Sequence, residues 1–171
     1  MDLYEAIQTR RSVRSYRPDA IPQEILDRVL EAARCAPSSL NIQPVKFVFV
    51  TDPAVKRQIA ACCIGQSFIE DAPIIVVGCA LPTRGTIAGY GSSAQSDVAV
   101  AFAYLSLAAA AEGLGTCWIT SFDHAEVEQL LNIAESAQAA LISPLGFPTD
   151  KSAHIKHRKT LEEILSWETF S

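Results

Sequence analysis

The chain has 171 residues, 49% of them apolar and 19% charged, with 14 Lys+Arg against 19 Asp+Glu for a net charge of −5. That apolar share excludes a disordered chain, and the acidic balance argues against a nucleic-acid-binding protein, whose footprint is basic. The length suits a single domain over 1–171 with a substantial core, and the apolar surplus suggests that some surface is covered by another subunit.

The first residues, Met1-Asp2-Leu3-Tyr4-Glu5, lack the charged-then-apolar pattern of a secretory signal. Asp97, Glu112 and scattered Gly and Pro interrupt every apolar run before membrane-spanning length. The expectation is a soluble, cytoplasmic protein. Cys35, Cys62, Cys63, Cys79 and Cys117 are odd in number and contain no CxxC, so they read as thiols in a reducing compartment. His124, His154 and His157 share no ligand spacing with them, and no metal site is expected.

In chain order, Asp2 caps a short helix from Leu3 to about Gln8. It delivers Arg10-Arg11-Ser12-Val13-Arg14-Ser15-Tyr16-Arg17, a loop in which half the residues are arginine. Guanidinium forks and serine hydroxyls match phosphate or carboxylate, so the stretch reads either as an anion cradle or as a solvated basic turn. Pro22 opens a second helix, whose apolar residues from Ile25 to Ala33 recur at helical spacing, and Pro37 stops it. Pro37-Ser38-Ser39-Leu40-Asn41-Ile42-Gln43-Pro44 is polar and proline-bounded: ordinary turn residues, or a loop whose amides and hydroxyls face a ligand.

Val45–Val50 reads as a strand, and Asp52-Pro53 caps a helix to about Ile64, closed by Gly65. Gln66 begins a connection to Ala72-Pro73. Ile74 to Ala80 is a continuous β-branched run, the pattern of a strand buried on both faces. Residues 81–94 are rich in glycine and serine and read as a loop; Gly89-Tyr90-Gly91 there lacks the rest of a dinucleotide fingerprint. Gln95 to Glu112 is the longest helix, apolar around nearly its whole circumference, which predicts a buried central helix or a close subunit contact. A short strand at Thr116–Ile119, a helix at Ala125–Leu131 behind Asp123, and a strand from Ala139 into Gly146-Phe147-Pro148 follow. The tail is basic at Lys151, Lys156, Arg158 and Lys159 and ends in a short amphipathic helix, Thr160 to Trp167.

Together these pieces resemble the FMN-dependent nitroreductase family from Leu3 to Ile164. The resemblance is carried by Arg10-Arg11-Ser12-Val13-Arg14, Ala36-Pro37-Ser38-Ser39-Leu40-Asn41-Ile42-Gln43-Pro44, Ala72-Pro73, Gly113-Leu114-Gly115-Thr116-Cys117-Trp118-Ile119, Pro144-Leu145-Gly146-Phe147-Pro148 and Lys156-His157-Arg158 in that order. It implies an α+β fold with a mostly antiparallel central sheet flanked by helices, and a homodimer with FMN at the subunit interface. It implies that Arg10, Ser12 and Arg14, with Arg11 beside them, meet the FMN phosphate, ribityl chain and ring edge. Lys156 and Arg158 would complete the phosphate pocket, and Pro37, Ser38, Ser39 and Asn41 would reach the flavin from the other subunit. Gln66 stands where an amide pairs with the pyrimidine edge, Thr120 and Ser121 where backbone amides approach flavin N5, and Gly146 on the strand end lining the pocket. The family usually has Gly-Ala at 120–121 and often an aromatic at 45, and its frequent substrate lid is here reduced to residues 81–94.

No Ser-His-Asp or Cys-His constellation stands out, which fits chemistry carried by a cofactor rather than by a catalytic side chain. The expected activity is therefore ping-pong transfer of hydride from NADH or NADPH through flavin N5 to a small electron acceptor such as a nitroaromatic or quinone. Its rivals are a flavin-binding sensor or storage protein without turnover, and a specialised flavin dehydrogenase or flavin-fragmenting enzyme of the same fold.

Overall fold

The computed structural model describes residues 1–87, 91–150 and 157–170. Its centre is a four-stranded antiparallel sheet in the order β1-β2-β6-β5, made of Val45–Val50, Ile74–Ala80, Gln138–Gly146 and Gly115–Thr116. Val48 faces Val77, which faces Ile142 in turn, and one register shift falls between Gly78 and Cys79. Thr86–Ile87 (β3) and Gly91–Ser92 (β4) form a separate small hairpin. The helices are α1 (Leu3–Thr9), α2 (Gln23–Arg34), α3 (Pro53–Cys62), α4 (Ala94–Ala111), α5 (His124–Leu130) and α6 (Leu161–Ile164).

Alternation along β2 sets the layers. Ile75, Val77 and Cys79 point into one core with Ile59 of α3 and Val127 of α5. Ile74, Val76 and Ala80 point into the other, with Val29 of α2 and Phe102 and Leu105 of α4. Every residue of β2 is buried, which explains why this antiparallel strand reads as an unbroken apolar run. Helix α4 lies so close to the sheet that a Cβ on Gly78 would sit 2.3 Å from the Phe102 ring.

Helix α4 is the long central helix expected, buried along one side. Ala94, Asp97, Val98, Ala101, Phe102, Leu105, Ser106 and Ala109 form a buried stripe at helical spacing, while Val100 and Tyr104 are exposed on the opposite side. Ala94–Ala111 does meet the bare length-and-composition test for a membrane span, correcting the sequence reading, yet 44% of that window is buried inside the protein. The expected strand at Thr116–Ile119 is also shorter: after Thr116 only Ile119 returns to the sheet, bridging Ile142. Trp118 turns aside to donate its indole N–H to Ser106 of α4 at 2.8 Å.

Candidate functional site

The arginine loop is stitched to the outer side of β5. Helix α1 ends as the Arg10 N–H reaches the Ala6 carbonyl. Ser12 then pairs in parallel with Thr116, and the Val13 N–H donates to the Thr116 carbonyl at 2.9 Å. Val13 is buried against Gly115, whereas Ser12 and Arg14 on either side of it are exposed. This alternation turns one set of side chains out of the body. Tyr16 anchors the far end: its ring is buried, its hydroxyl donates to the Val13 carbonyl at 2.7 Å, and burial raises its pKa strongly.

The thiol of Cys117 reports where the outward set lies. Burial pushes it up, and the charge of Arg14, the Ser12 hydroxyl and the charge of Arg10 pull it back down. Arg10 and Arg11 also line a cavity of about 720 Å³ with Thr116, Phe147 and Asp150. Arg11 donates to the Asp150 carbonyl, and Arg17 lines the same cavity, 3.2 Å from Asp19 and stacked 5.1 Å over the Phe147 ring.

The second expected segment is a tight turn. Leu40, Asn41 and Gln43 all have positive φ (52°, 56° and 57°), a conformation that costs non-glycine residues energy and persists only where surroundings impose it. Ser38 Oγ accepts the Gln43 N–H at 2.9 Å, and the Ser39 N–H donates to the buried carboxylate of Asp97 at 3.0 Å. Pro37, Ser38 and Gln43 line another cavity, of about 580 Å³, together with Asp97.

The two cavities share no lining residue. One touches Asp97 near the start of α4 and the other Ala110 near its end, so a rise of 1.5 Å per residue separates them by roughly 20 Å along the helix. A single chain holds the arginine loop and the Pro37–Asn41 turn apart.

Gln66 and the pair Thr120–Ser121 do come together. Cys63 bridges Phe122, and the Ile64 N–H donates to the Ser121 carbonyl at 3.3 Å, which places Ser121 beside the chain two residues before Gln66. Gln66 is half-buried, while Thr120 and Ser121 are exposed. Gly146 pairs with Gly115, and a Cβ there would meet Pro73 Cδ at 2.5 Å and Tyr16 Cδ1 at 3.3 Å. The space beside it is taken by protein. Arg158 is exposed and donates to the His157 carbonyl at 3.2 Å, whereas Lys156 lies outside the described residues. Among the described residues no group of three or more His, Cys, Asp or Glu is placed to hold a metal. Asp97 and Cys117 are the polar groups that sequence reasoning missed; an acid in an otherwise apolar helix was the available signal for the first.

Comparison with known proteins gives a consistent result. The model of the nitroreductase family matches residues 7–80 and 61–147. A Thermus thermophilus protein named NADH dehydrogenase is 30% identical, over 98% of this chain and 96% of its own. A Bacillus subtilis protein named FMN reductase [NAD(P)H] is 31% identical, over 99% of this chain and 74% of its own. The crystal structure of a nitroreductase family protein from Clostridium novyi superposes with a TM-score of 0.82 at 31% identity, covering 89% of each chain.

Proposed function

Because the chain belongs to the nitroreductase family, we propose that it is a single-domain NAD(P)H-dependent FMN oxidoreductase that works as a homodimer. Bound FMN supplies the redox chemistry, taking hydride from NADH or NADPH and passing the reducing equivalents to a small acceptor such as a nitroaromatic or quinone. The single observation that carries the reading is the arginine loop itself, laid along β5 by the Ser12–Thr116 pairing with Ser12 and Arg14 exposed and Arg10 half-buried.

That donor set fits a phosphate ester on a polyol chain. Guanidinium forks neutralise and grip the phosphate, and a serine hydroxyl suits the ribityl oxygens. Arg10 and Ser12, completed by Lys156 and Arg158 from the tail, would hold the phosphate end. Arg14 would place positive charge by the ring edge, where negative charge gathers on reduction. Gln66 would give an amide to the pyrimidine edge, and the backbone of Thr120 and Ser121 would approach the ring close by. Arg11, bonded to the Asp150 carbonyl, would support the cradle from its inner side. Gly146 would serve the same site indirectly, by letting Tyr16 and Pro73 pack under the arginine loop. No side chain is assigned as an obligatory acid or base.

The separation of the two cavities supports the dimer. If Pro37, Ser38, Ser39 and Asn41 also reach the flavin, they come from a second chain, because their own chain holds them at the other end of α4. The uncovered apolar residues support this: Val100 and Tyr104 on α4, Tyr4 on α1, and Leu161, Trp167 and Phe170 in the tail are all exposed. The free state of all five cysteines supports a cytoplasmic setting.

An absorbance spectrum of the purified protein tests the proposal. A yellow protein that bleaches with NADH or NADPH and recovers with a nitroaromatic or quinone is the expected result. Flavin that stays oxidised with both nucleotides would sink the reductase and favour a binding module, and colourless protein that refuses added FMN would sink the cofactor assignment.

A further inference from the structure

We propose that Asp97 is a positioning residue whose carboxylate ties the Ser38–Gln43 turn to Ser93 at the start of α4 and so fixes the shape in which that turn meets a partner subunit's cofactor. The inference rests on the homodimeric FMN reading above.

Asp97 sits in the first turn of α4, 7% exposed, and spends one oxygen on the Ser38–Gln43 turn and the other on Ser93, the residue that begins its own helix. Oδ1 accepts the backbone N–H of Ser39 at 3.0 Å, and Oδ2 accepts the hydroxyl of Ser93 at 3.1 Å. A first-turn carboxylate is favoured by the helix dipole, so this buried acid is stabilised where it stands. The turn needs such an anchor. Leu40, Asn41 and Gln43 are held at positive φ, and the bonds Gln43 N–H to Ser38 Oγ and Gln43 side chain to the Asn41 carbonyl close the turn only upon itself. Among the described hydrogen bonds of residues 38–43, two leave the turn: the Gln43 carbonyl accepts the N–H of its near neighbour Val45 in β1 at 2.8 Å, and the Ser39 bond to Asp97 is the one that reaches a distant element, α4.

Ser93 leans on the same carboxylate. The Ser93 N–H donates to the Gly85 carbonyl at 3.2 Å. A Cβ on Gly85 would lie 2.7 Å from Ser93 Oγ and 3.3 Å from Ile42 Cδ1, so Gly85 lies between Ser93 and the turn with no room for a side chain. Gly85 and Ser93 are thereby linked to the turn proposed to face the flavin.

The test uses the purified full chain stripped of flavin, with FMN titrated by fluorescence quenching and thermal unfolding followed in parallel, for Asp97→Ala, Asp97→Asn and Ser93→Ala. Loss of the Ser39 bond in Asp97→Ala should raise the FMN Kd about tenfold or more. Asp97→Asn keeps an acceptor for the Ser39 N–H and should bind within about threefold of the wild type, with Ser93→Ala between the two. Lower unfolding temperatures with wild-type Kd in all three variants would mean a purely structural role and overturn the proposal. Should Asp97→Ala fail to fold, Ser93→Ala decides: a threefold or greater rise supports the link, and an unchanged Kd overturns it. Wild-type protein that binds no FMN overturns the parent reading, an outcome distinct from variants that bind as well as wild type.

Discussion

Val13 occupies the space where a side chain on Gly115 would have to go: a Cβ there would lie 2.6 Å from Val13 Cγ2 and 2.7 Å from its Cβ. The missing side chain lets the arginine loop lie flat on β5, pairing Ser12 with Thr116. Gly115→Ala should push Val13 outward, cost roughly 1–3 kcal/mol of stability by overpacking, and lower flavin content by disturbing Ser12 and Arg14. Urea unfolding and the flavin-to-protein absorbance ratio measure both effects. A variant with wild-type stability and full flavin would show that the contact does not position the loop.

Replacing Arg10 and Arg158 together with alanine should release FMN without unfolding the chain. Arg158 is exposed and Arg10 only half-buried, so neither is part of the core. Charge-assisted hydrogen bonds contribute about 1.5–3 kcal/mol each, so the double change should weaken flavin binding at least about a hundredfold. Dialysis followed by far-UV circular dichroism would show colourless, folded protein. Retention of flavin would mean the cradle lies elsewhere.

For the dimer, Val100→Asp places a charge on the uncovered side of α4. The expected outcome is a monomer with native circular dichroism and little flavin, read by sedimentation velocity at low concentration. A variant that still sediments as a dimer would remove this face from the interface.

The thiols give a pH prediction. Burial pushes Cys63 up to about 11, from an ordinary value of 9.0. The folded state therefore keeps a proton that the unfolded chain gives up, so this contribution is whole below about pH 9 and is lost as pH climbs toward 11. Cys62, Cys79 and Cys117 shift in the same direction, each mainly through burial. Denaturant midpoints should hold steady up to about pH 9 and then fall. At pH 8 a thiol reagent should modify Cys35 alone in native protein and all five cysteines after unfolding. Rapid native modification of the other four would contradict the packing.

Much of the fold was legible because burial leaves a periodic trace. The β-branched run from Ile74 to Ala80 could be little else than a doubly covered strand, and Asp52-Pro53 marks a helix start that the Asp52 side chain does cap, on Ala54 and Val55. Helix α4 was legible as the long central helix, but a ring of alanines names no preferred side; the stripe through Val98, Phe102 and Leu105 is chosen by the sheet. Thr116–Ile119 looked like one strand because sequence does not show that Ser106 would draw Trp118 away. In the site, the arginines announced themselves by density. The left-handed Leu40 and Gln43 did not, because nothing in those residue types asks for positive φ; the carboxylate of Asp97, more than fifty residues on in the sequence, helps hold them there. Gly146 read as a pocket liner, and the structure finds its hydrogen facing Pro73.

The position of β1 at the rim of the sheet has a consequence for how the protein is made. Val45–Val50 pairs with β2 on one side, and among the described residues no strand covers the other. Its sequence, Val-Lys-Phe-Val-Phe-Val, offers a single charge, at Lys46, to discourage edge-to-edge growth. If the chain dimerises as proposed, a newly synthesised copy carries that bare edge and its uncovered apolar side chains until a partner covers them, and assembly becomes a race between correct pairing and aggregation, decided by subunit concentration and chaperone supply.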